Sequence, residues 1–235
     1  MALPFFYISD YDGSQKLIVL DEDASKHVVQ VLRMKTGELL NLTDGKGNLL
    51  TCEIINDHKK HCSVEVTATS YRQPATRKVS VAISLLKNSN RFEWFLEKAT
   101  EIGVTEIIPL ICERTGKEKF RYERMNQICI SAMLQSQQVW LTVLHEPVEF
   151  IKAVAQLTAE QKFIAHCAAV ENKQLLYKQI STSAHHFICI GPEGDFTPSE
   201  IELALQHNFI PVSLGETRLR TETAGVAAAV LLLAF

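Results

Sequence analysis

The stretch from Phe187 to the end of the chain constrains the fold most, because apolar runs in it alternate with turns that contain glycine or polar residues. Phe187–Ile190 is uniformly apolar and includes β-branched residues, which is typical of a strand buried on both faces. Two glycines in the next turn, Gly191–Gly194, leave backbone groups uncovered by side chains. An open α/β sheet binds its ligand at the carboxyl ends of its strands. This turn is therefore a candidate binding loop, although a turn of this kind is by itself more often only a turn.

The pattern recurs before the chain ends. Thr197–Glu200 matches a capping box with proline at the first helical position, which predicts a helix. Phe209–Leu214 is the next predicted strand, and Gly215 follows it. A polar cluster then precedes a final apolar helix, for which Thr221 or Thr223 is the predicted N-cap. Together these turns predict one site built from backbone groups, but their spacing does not identify the ligand.

The N-terminal residues 1–72 form a predicted β-rich domain, with polar turns between short strand-like runs that fit a small barrel. One helix is predicted over Ala24–Met34, with Asp23 as its N-cap. The side chains of this helix that are predicted to face inward are Val28, Val31 and Leu32. The predicted strands are Phe5–Ile8, Leu17–Leu20, Leu39–Leu42, Asn48–Ile55 and Cys62–Thr69.

A domain boundary is predicted at Tyr71–Pro74, where proline and polar residues interrupt both periodicities. From there strands and helices alternate, which predicts an α/β domain over 73–235 with a mostly parallel sheet. Its first helix, Arg91–Ile102, has apolar residues at helical spacing and ends at Gly103. Further strands are predicted over 79–86 and 104–112 and near 140–145, 162–167 and 186–190, and further helices near 121–138, 148–157 and 171–180.

The net charge of −3 neither favours nor excludes a nucleic-acid partner. Two segments carry an excess of basic residues, 26–35 and 113–124. Each of them either contacts RNA or is a solvated face. The charge pattern leaves both interpretations open.

The six cysteines show no spacing typical of a zinc site, so we expect no metal. They are scattered along apparent strands and helices, which indicates reduced, buried thiols in a cytoplasmic protein. No signal peptide is evident at the start, and the apolar run 225–235 is too short to span a bilayer. We therefore expect no association with a membrane.

Residues 190–224, IGPEGDFTPSEIELALQHNFIPVSLGETRLRTETA, resemble the signature of the ribosomal small-subunit methyltransferase E family. The resemblance continues in RFEWFLEKATEIGVTEIIPLICERT (91–115) and HVVQVLRMKTGELLNLTDGKG (27–47), so it covers most of the chain. It implies a SPOUT-class enzyme that uses S-adenosylmethionine to methylate N3 of a uridine in 16S rRNA near the decoding centre. It also implies an N-terminal PUA-like β-barrel that binds RNA, a C-terminal α/β domain with a trefoil knot, and a homodimer that acts on 16S rRNA or on the small ribosomal subunit.

The resemblance also assigns roles to individual residues. Arg220 is predicted to stabilise the negative charge that loss of the N3 proton places on O2 and O4 of the uracil, because arginine stays charged. Glu222 is predicted either to act as general base or to orient Arg220, and favourable interaction with the helix start is the alternative. The predicted cofactor-binding residues are His166, Ile190, Gly191, Glu193, Gly194, Leu214, Gly215, Leu219 and Thr221. The predicted RNA-binding residues are Arg33, Lys35, Arg114, Gln135 and Ser136.

Other nucleotide-binding and hydrolase motifs do not occur in the sequence. It has no G-x-G-x-x-G, no P-loop and no G-x-S-x-G, which argues against a dinucleotide site, a P-loop NTPase or a serine hydrolase. Two alternatives to the leading interpretation are a non-catalytic RNA-binding assembly factor on the same scaffold and a methyltransferase for another RNA position, such as a ribose 2′-OH. Many family members have Glu-Gln-Ser/Cys-x-Arg where this chain has Leu134–Gln138, and many have an arginine where it has Leu3–Phe6. Both departures remove positive charge from places where RNA could bind.

Overall fold

The computed structural model describes residues 3–116, 119–168, 173–182 and 184–235. The chain forms two compact units, one made of Met1–Pro74 with Met133–Leu141 and the other of Ala75–Ala132 with Thr142–Phe235. The predicted domains, 1–72 and 73–235, are continuous in sequence and therefore do not include residues 133–141 in the first unit. In the described parts of the chain, no helix has the length and apolar character needed to cross a bilayer.

The first unit is built on the strands β1 (Phe5–Tyr7), β2 (Leu17–Val19), β3 (Leu39–Thr43), β4 (Asn48–Asn56) and β5 (Ser63–Tyr71). They form one sheet in the order β1-β3-β4-β5-β2, in which β1 and β3 are parallel and the other neighbours are antiparallel. Each strand lies within or close to a run that the sequence predicts as a strand. Its core contains fully buried side chains from three strands, namely Leu40, Leu42, Leu50, Ile54 and Val64.

The helical segment between β2 and β3 begins earlier than predicted. It consists of α1 (Glu22–Lys26) and a π-helical turn, His27–Val31. Its N-cap is Asp21, whose carboxylate accepts a hydrogen bond from the Ala24 amide at 2.7 Å. The predicted N-cap, Asp23, is therefore wrong, and Asp23 lies within the first helical turn.

The π-helical turn also changes which side chains of this segment face the core. Val28 is buried as predicted, but Val31 and Leu32 are 68% and 42% exposed. The Leu32 amide donates to the carbonyl of His27, five residues earlier, at 2.9 Å. A π turn is wider than an α turn, so side chains after it no longer follow the 3.6-residue spacing. The prediction that Val31 and Leu32 face inward is wrong for this reason.

Residues 133–141 pack, within the first unit, against the turn between β3 and β4. The Gly47 amide donates to the carbonyl of Val139 at 2.8 Å, and the Trp140 indole N–H donates to the carbonyl of Arg72 at 3.0 Å. Gly47 has φ +98°, and a Cβ there would lie 2.7 Å from the Trp140 ring. Both the backbone conformation and the close ring require glycine at this position.

The second unit contains a parallel sheet, as the alternation of strands and helices predicts. Its strands are β6 (Lys78–Ser84), β7 (Glu106–Ile111), β8 (Val143–Leu144), β9 (Val148–Glu149), β10 (Gln161–Ala165), β11 (Gln174–Leu175), β12 (His185–Ile190) and β13 (Ile210–Ser213). The order is β11-β13-β10-β12-β6-β7-β8, with β9 beside β7, and these neighbours pair in parallel. The carboxyl ends of the strands therefore lie along one edge of the sheet.

The helices of the chain beyond α1 are α2 (Ser89–Ile102), α3 (Tyr122–Gln135), α4 (Phe150–Gln156), α5 (Pro198–Gln206) and α6 (Thr221–Ala234). α2 ends, as predicted, at Gly103, which has φ +99°. The predicted capping box opens α5, where the Glu200 carboxylate accepts from the Thr197 amide at 2.8 Å.

The helix predicted near 171–180 is wrong. Gln174–Leu175 form the edge strand β11, which pairs with β13, and Leu176–Lys178 form a single 3₁₀ turn. Positions 171 and 172 lie outside the described residues. By pairing with the edge of the sheet, the backbone amides and carbonyls of β11 make the hydrogen bonds that they would otherwise make within a helix.

The final helix, α6, begins with a backbone cap. The carbonyl of Arg220 accepts the first helical hydrogen bond, from the Ala224 amide at 2.7 Å, and no side chain caps the helix. Thr221 is the first helical residue and is buried, so the prediction of Thr221 or Thr223 as N-cap is wrong. Deeper in the helix, a Cβ on Gly225 would lie 2.6 Å from the Phe95 ring of α2. Glycine therefore allows α6 to approach α2 closely.

Candidate functional site

A cavity of about 560 Å³ opens at the carboxyl ends of β13, β10 and β12, which are neighbours in the sheet of the second unit. The last residue of β10, Ala165, is paired with Ile190 of β12 on one side and with Val212 of β13 on the other. The three strands therefore end at nearly the same level. The turns that follow them line one cavity, as the sequence predicts for this edge of the sheet.

Four segments line the cavity. They are Ala165–Cys167 at the end of β10, Ile190–Glu193 after β12, Val212–Arg220 from β13 onward, and the start of α6, and Lys173 and Asp195 complete the lining. Of the predicted site residues, those that lie in the lining are His166, Ile190, Gly191, Glu193, Leu214, Gly215, Leu219, Arg220 and Thr221. The structure thus brings together most of the residues predicted to bind the cofactor, together with one of the two predicted catalytic residues.

The bend after β12 needs a residue without a side chain. A Cβ on Gly191 would lie 3.0 Å from the Phe196 ring and 3.2 Å from the Phe196 amide nitrogen. Phe196 is buried in the core between the sheet and α5. Gly191 therefore lets the backbone turn tightly over Phe196 while its polar groups line the cavity.

Gly194 does not line the cavity. Its carbonyl accepts a hydrogen bond from the guanidinium of Arg114 at 2.6 Å, and a Cβ on it would lie 3.2 Å from Arg114 Cδ. Gly194 is thus in contact with another predicted site residue instead. Its predicted role in binding the cofactor stays a prediction.

His166 is a buried polar side chain of the cavity, with 6% of its surface exposed. Neither ring nitrogen has a hydrogen-bond partner among the described residues. Burial lowers the pKa of His166, and the charge of Lys173 lowers it further, whereas Asp195 and the backbone of Ala168 act in the opposite direction. The imidazole is therefore neutral at neutral pH, with a donor and an acceptor left for a ligand.

Charged side chains of both signs surround this neutral ring. Three basic and three acidic residues line the cavity, so their formal charges cancel; they are Lys173, Arg218, Arg220, Glu193, Asp195 and Glu216. The Arg220 guanidinium is exposed and has no hydrogen bond or ion pair with any residue that the structure describes. A ligand that carries both positive and negative groups would find partners here.

Glu222 lies outside the lining of the cavity. It is buried in the first turn of α6, with 6% exposure, and its Oε1 lies 3.7 Å from Nε of Arg91. Its Oε2 has no hydrogen-bond partner in the described part of the chain. The structure therefore does not bring Glu222 and Arg220 together in the cavity. The position of Glu222 instead matches its alternative role, a favourable interaction of a carboxylate with the start of a helix.

The residues predicted to bind RNA are divided between the two units. Arg33, Lys35, Gln135 and Ser136 belong to the first unit and Arg114 to the second. Arg33 is exposed and has φ +59° two residues after the π-helical turn, and Lys35 pairs with Asp57 at 3.3 Å. Gln135 is exposed at the end of α3, and the basic run 113–124 includes Lys117 and Glu118, which lie outside the described residues.

Sequence reasoning missed several residues of the cavity wall. Asp195, Lys173, Cys167 and Arg218 line it without having been predicted. Cys167 is exposed, so the prediction of buried thiols holds for the other five cysteines but not for this one. Asp195 follows directly after the recognised turn, and that adjacency was the available signal. Lys173 comes after β10 in a segment for which the sequence predicted a helix, and that prediction gave no reason to place it in the cavity.

Comparisons with known proteins agree with this geometry. A family profile described as an RNA methyltransferase domain matches residues 73–233, and one described as an RNA methyltransferase PUA domain matches residues 20–67. Ribosomal RNA small subunit methyltransferase E of Synechocystis is 32% identical over 211 residues, which cover 87% of this chain and 69% of that protein.

Solved structures are similar over nearly the whole chain. The crystal structure of a probable rRNA-methyltransferase from Porphyromonas gingivalis has a TM-score of 0.92 and 37% identity, and the match covers 99% of this chain and 98% of that one. Ribosomal RNA small subunit methyltransferase E from Neisseria gonorrhoeae, bound to S-adenosyl methionine, has a TM-score of 0.88 and 27% identity over 99% of this chain and 97% of that one. The fold is thus an α/β SPOUT-type domain with an N-terminal PUA-like domain. The chain belongs to the ribosomal RNA small subunit methyltransferase E family.

Proposed function

We propose that this protein transfers a methyl group from S-adenosylmethionine to N3 of a uridine in 16S rRNA near the decoding centre. The observation that carries the proposal is the cavity where β13, β10 and β12 end at the same level. The buried imidazole of His166, which has no hydrogen-bond partner among the described residues, lies in its wall. The relative from Neisseria gonorrhoeae, which shares this fold, was solved with S-adenosyl methionine bound.

The residues present fit this cofactor. Ligand cavities are roughly 300–1,000 Å³, and this cavity has a volume of about 560 Å³. The cofactor combines a nucleoside with a zwitterionic amino acid and a sulfonium, and the cavity offers backbone groups, apolar side chains and charges of both signs. When bound, it would supply an electrophilic methyl group, to which a nucleophilic nitrogen bonds as the thioether sulfur leaves.

In this proposal the turns of the cavity hold the cofactor. Backbone groups of Gly191, Leu214 and Leu219 are available because these residues line the cavity as turn or loop residues. The unpartnered nitrogens of His166 would gain a hydrogen bond, which removes the cost of leaving a buried polar group unsatisfied. The remaining proposed cofactor-binding residues are Ile190, Glu193, Gly194, Gly215 and Thr221.

Arg220 is the proposed catalytic residue. Loss of the N3 proton of uridine to solvent would spread negative charge onto O2 and O4 of the base, and this charge develops as N3 becomes a nucleophile. A guanidinium that stays protonated and has no partner among the described residues is suited to stabilise it. Arg220 lies at the N-cap of α6, in the lining of the cavity, so the helix start fixes its backbone.

Glu222 acts as a positioning residue in this proposal. Its carboxylate lies in the first turn of α6, two residues after Arg220 and beside Arg91. It stabilises the helix start from which Arg220 extends. Direct proton transfer from N3 to this carboxylate would require it to reach the cavity, and it does not line it.

RNA would bind through both units. The matched PUA profile and the exposed Arg33 and Lys35 support binding by the first unit, and the exposed Arg114 supports binding by the second. Gln135 and Ser136 complete the proposed set. A cytoplasmic homodimer with a knotted C-terminal domain is part of the same proposal. It is supported by the apolar α6, on which Val230 and the C-terminal Phe235 are exposed.

The decisive experiment compares 16S rRNA from a wild-type strain with rRNA from a strain that lacks this gene. Mass spectrometry of digested rRNA should show the loss of one N3-methyluridine in the deletion strain and its return with the wild-type gene. Loss of a ribose methylation instead would move the chemistry to another position. An unchanged methylation pattern, together with no binding of S-adenosylmethionine by the purified protein, would favour the non-catalytic assembly factor.

A further inference from the structure

Asp195 connects two walls of the cavity through its carboxylate. Its Oδ2 accepts a hydrogen bond from the amide of Cys167 at 2.7 Å, and its Oδ1 accepts one from the amide of Phe196 at 2.8 Å. Cys167 belongs to the segment after β10, and Asp195 belongs to the turn after β12. Both residues line the cavity. One side chain thus joins the ends of two neighbouring strands.

Lys173 binds the carbonyl groups of the same segment. Its Nζ donates to the carbonyl of His166 at 3.0 Å and to the carbonyl of Ala168 at 2.7 Å. The amide of Cys167 and the carbonyls on either side of it are therefore bound by two opposite charges. Hydrogen bonds to charged groups are stronger than those between neutral groups. The segment 166–168 is a short piece of irregular backbone, yet charged side chains fix it.

The backbone of Asp195 indicates that its side chain has a specific task. Asp195 has φ +64°, a left-handed conformation that favours glycine. Aspartate tolerates this conformation better than most residues but gains nothing from it relative to glycine. The carboxylate accepts two hydrogen bonds, one of them from another loop, and these offset the cost of the left-handed conformation.

We infer that Asp195 is a positioning residue for the methyl donor. It holds the segment 166–168, and with it the His166 imidazole, in the arrangement that the ligand needs. This inference rests on the proposed function of the cavity. Without the carboxylate the segment would have to be ordered when the ligand binds, and that ordering weakens binding. The residue acts through the cavity wall and takes no part in the chemical step.

Asp195→Gly is the variant that separates this role from a role in folding. Glycine is favoured at φ +64°, so the melting temperature should stay at or above the wild-type value. The affinity for S-adenosylhomocysteine, measured by titration calorimetry, should fall roughly tenfold, the size expected for a lost hydrogen bond to a charged group. The amide of Cys167 should exchange its hydrogen faster in the ligand-free protein. Asp195→Asn keeps the shape and one acceptor oxygen, so both effects should be smaller.

The outcomes distinguish this inference from the proposed function. Wild-type protein that fails to bind S-adenosylhomocysteine overturns the proposed function, and the inference with it. Wild-type protein that binds, together with an Asp195→Gly variant of equal affinity and equal Cys167 protection, overturns the inference alone. A large fall in the melting temperature of Asp195→Gly would also overturn it, because the carboxylate would then serve mainly the fold.

Discussion

The carboxylate of Glu222 lies beside Arg91, with 3.7 Å between Oε1 and Nε, and not in the cavity that Arg220 lines. Arg91 extends from the first turn of α2 and Glu222 from the first turn of α6. The pair thus links the starts of two helices that pack together at Gly225 and Phe95. In the proposed function this carboxylate supports the helix start that carries Arg220 and does not act as a catalytic base.

Glu222→Gln should therefore keep most of the methyl transfer. We expect the rate to fall by less than about tenfold, because loss of a general base typically costs roughly 10²–10⁴-fold. The measurement is single-turnover methylation of small-subunit RNA across pH, with the affinity for S-adenosylhomocysteine as control. A fall of a hundredfold or more at unchanged affinity would restore the general-base role.

Arg220→Ala should strongly reduce the rate of methyl transfer while cofactor affinity stays near the wild-type value. Removing one group that stabilises developing charge typically costs roughly 10²–10³ in rate. Arg220→Lys should recover part of the loss, since it keeps the charge but not the planar guanidinium. Lys152→Ala removes another exposed cation, on α4 and outside the cavity lining, and should be indistinguishable from wild type. Wild-type turnover by Arg220→Ala would remove its catalytic role.

Cys167 offers a native probe of the cavity. It is the exposed cysteine of the six, and it lines the cavity. Burial raises the pKa of Cys52 and of Cys112 to about 12 and that of Cys129 to about 11, so these thiols stay protonated at pH 8. We expect iodoacetamide to modify Cys167 first and S-adenosylhomocysteine to slow that reaction. Methionine, which has no thiol to consume the reagent, is the control ligand, and equal rates with and without S-adenosylhomocysteine would contradict binding at this cavity.

Gly225→Ala should destabilise the protein, although alanine usually stabilises a helix interior relative to glycine. The added Cβ would lie 2.6 Å from the Phe95 ring and 2.9 Å from Cδ1 of Ile83. Overpacking of this kind costs about 1–3 kcal/mol in the free energy of unfolding. Urea denaturation measures it, and the double variant with Phe95→Leu should recover part of the loss. A more stable Gly225→Ala variant would show that α6 does not approach α2 so closely.

The sequence predicted those parts of the fold that depend on local patterns. Gly103 ends α2 because only a residue without a Cβ readily adopts its left-handed conformation, and the capping box of α5 is a short-range arrangement. The π-helical turn at His27–Val31 escaped prediction because its hydrogen-bond spacing departs from the assumed period. The edge strand β11 escaped because its partner, β13, lies far along the chain.

The same distinction applies to the cavity. Turns after apolar runs predicted most of its lining, since strand ends in a parallel sheet meet at one edge. The contact of Asp195 with Cys167 depends on β10 and β12 being neighbours, and the pairing order of strands is a property of the whole sheet. Glu222 is two residues from Arg220 along the chain but does not line the cavity, because nearness in sequence does not fix the direction of a side chain on a helix.

The stability of the protein should fall between neutral pH and pH 5, and His166 should account for part of this fall. Burial is the largest cause that lowers the pKa of His166, and the same holds for His185 and His186. In the unfolded chain a histidine titrates near 6.5, so below that pH the unfolded state binds protons that the folded state does not. The free energy of unfolding therefore decreases as pH falls below about 6.5, by at most about 1.4 kcal/mol per pH unit for each such group.

Urea denaturation of wild type and His166→Gln at about pH 7.5, 6.5 and 5.5, values on both sides of the ordinary histidine pKa, measures the share of His166. The variant should lose less stability than wild type over this range, and parallel pH profiles for the two proteins would show that His166 is as readily protonated in the fold as in the unfolded chain.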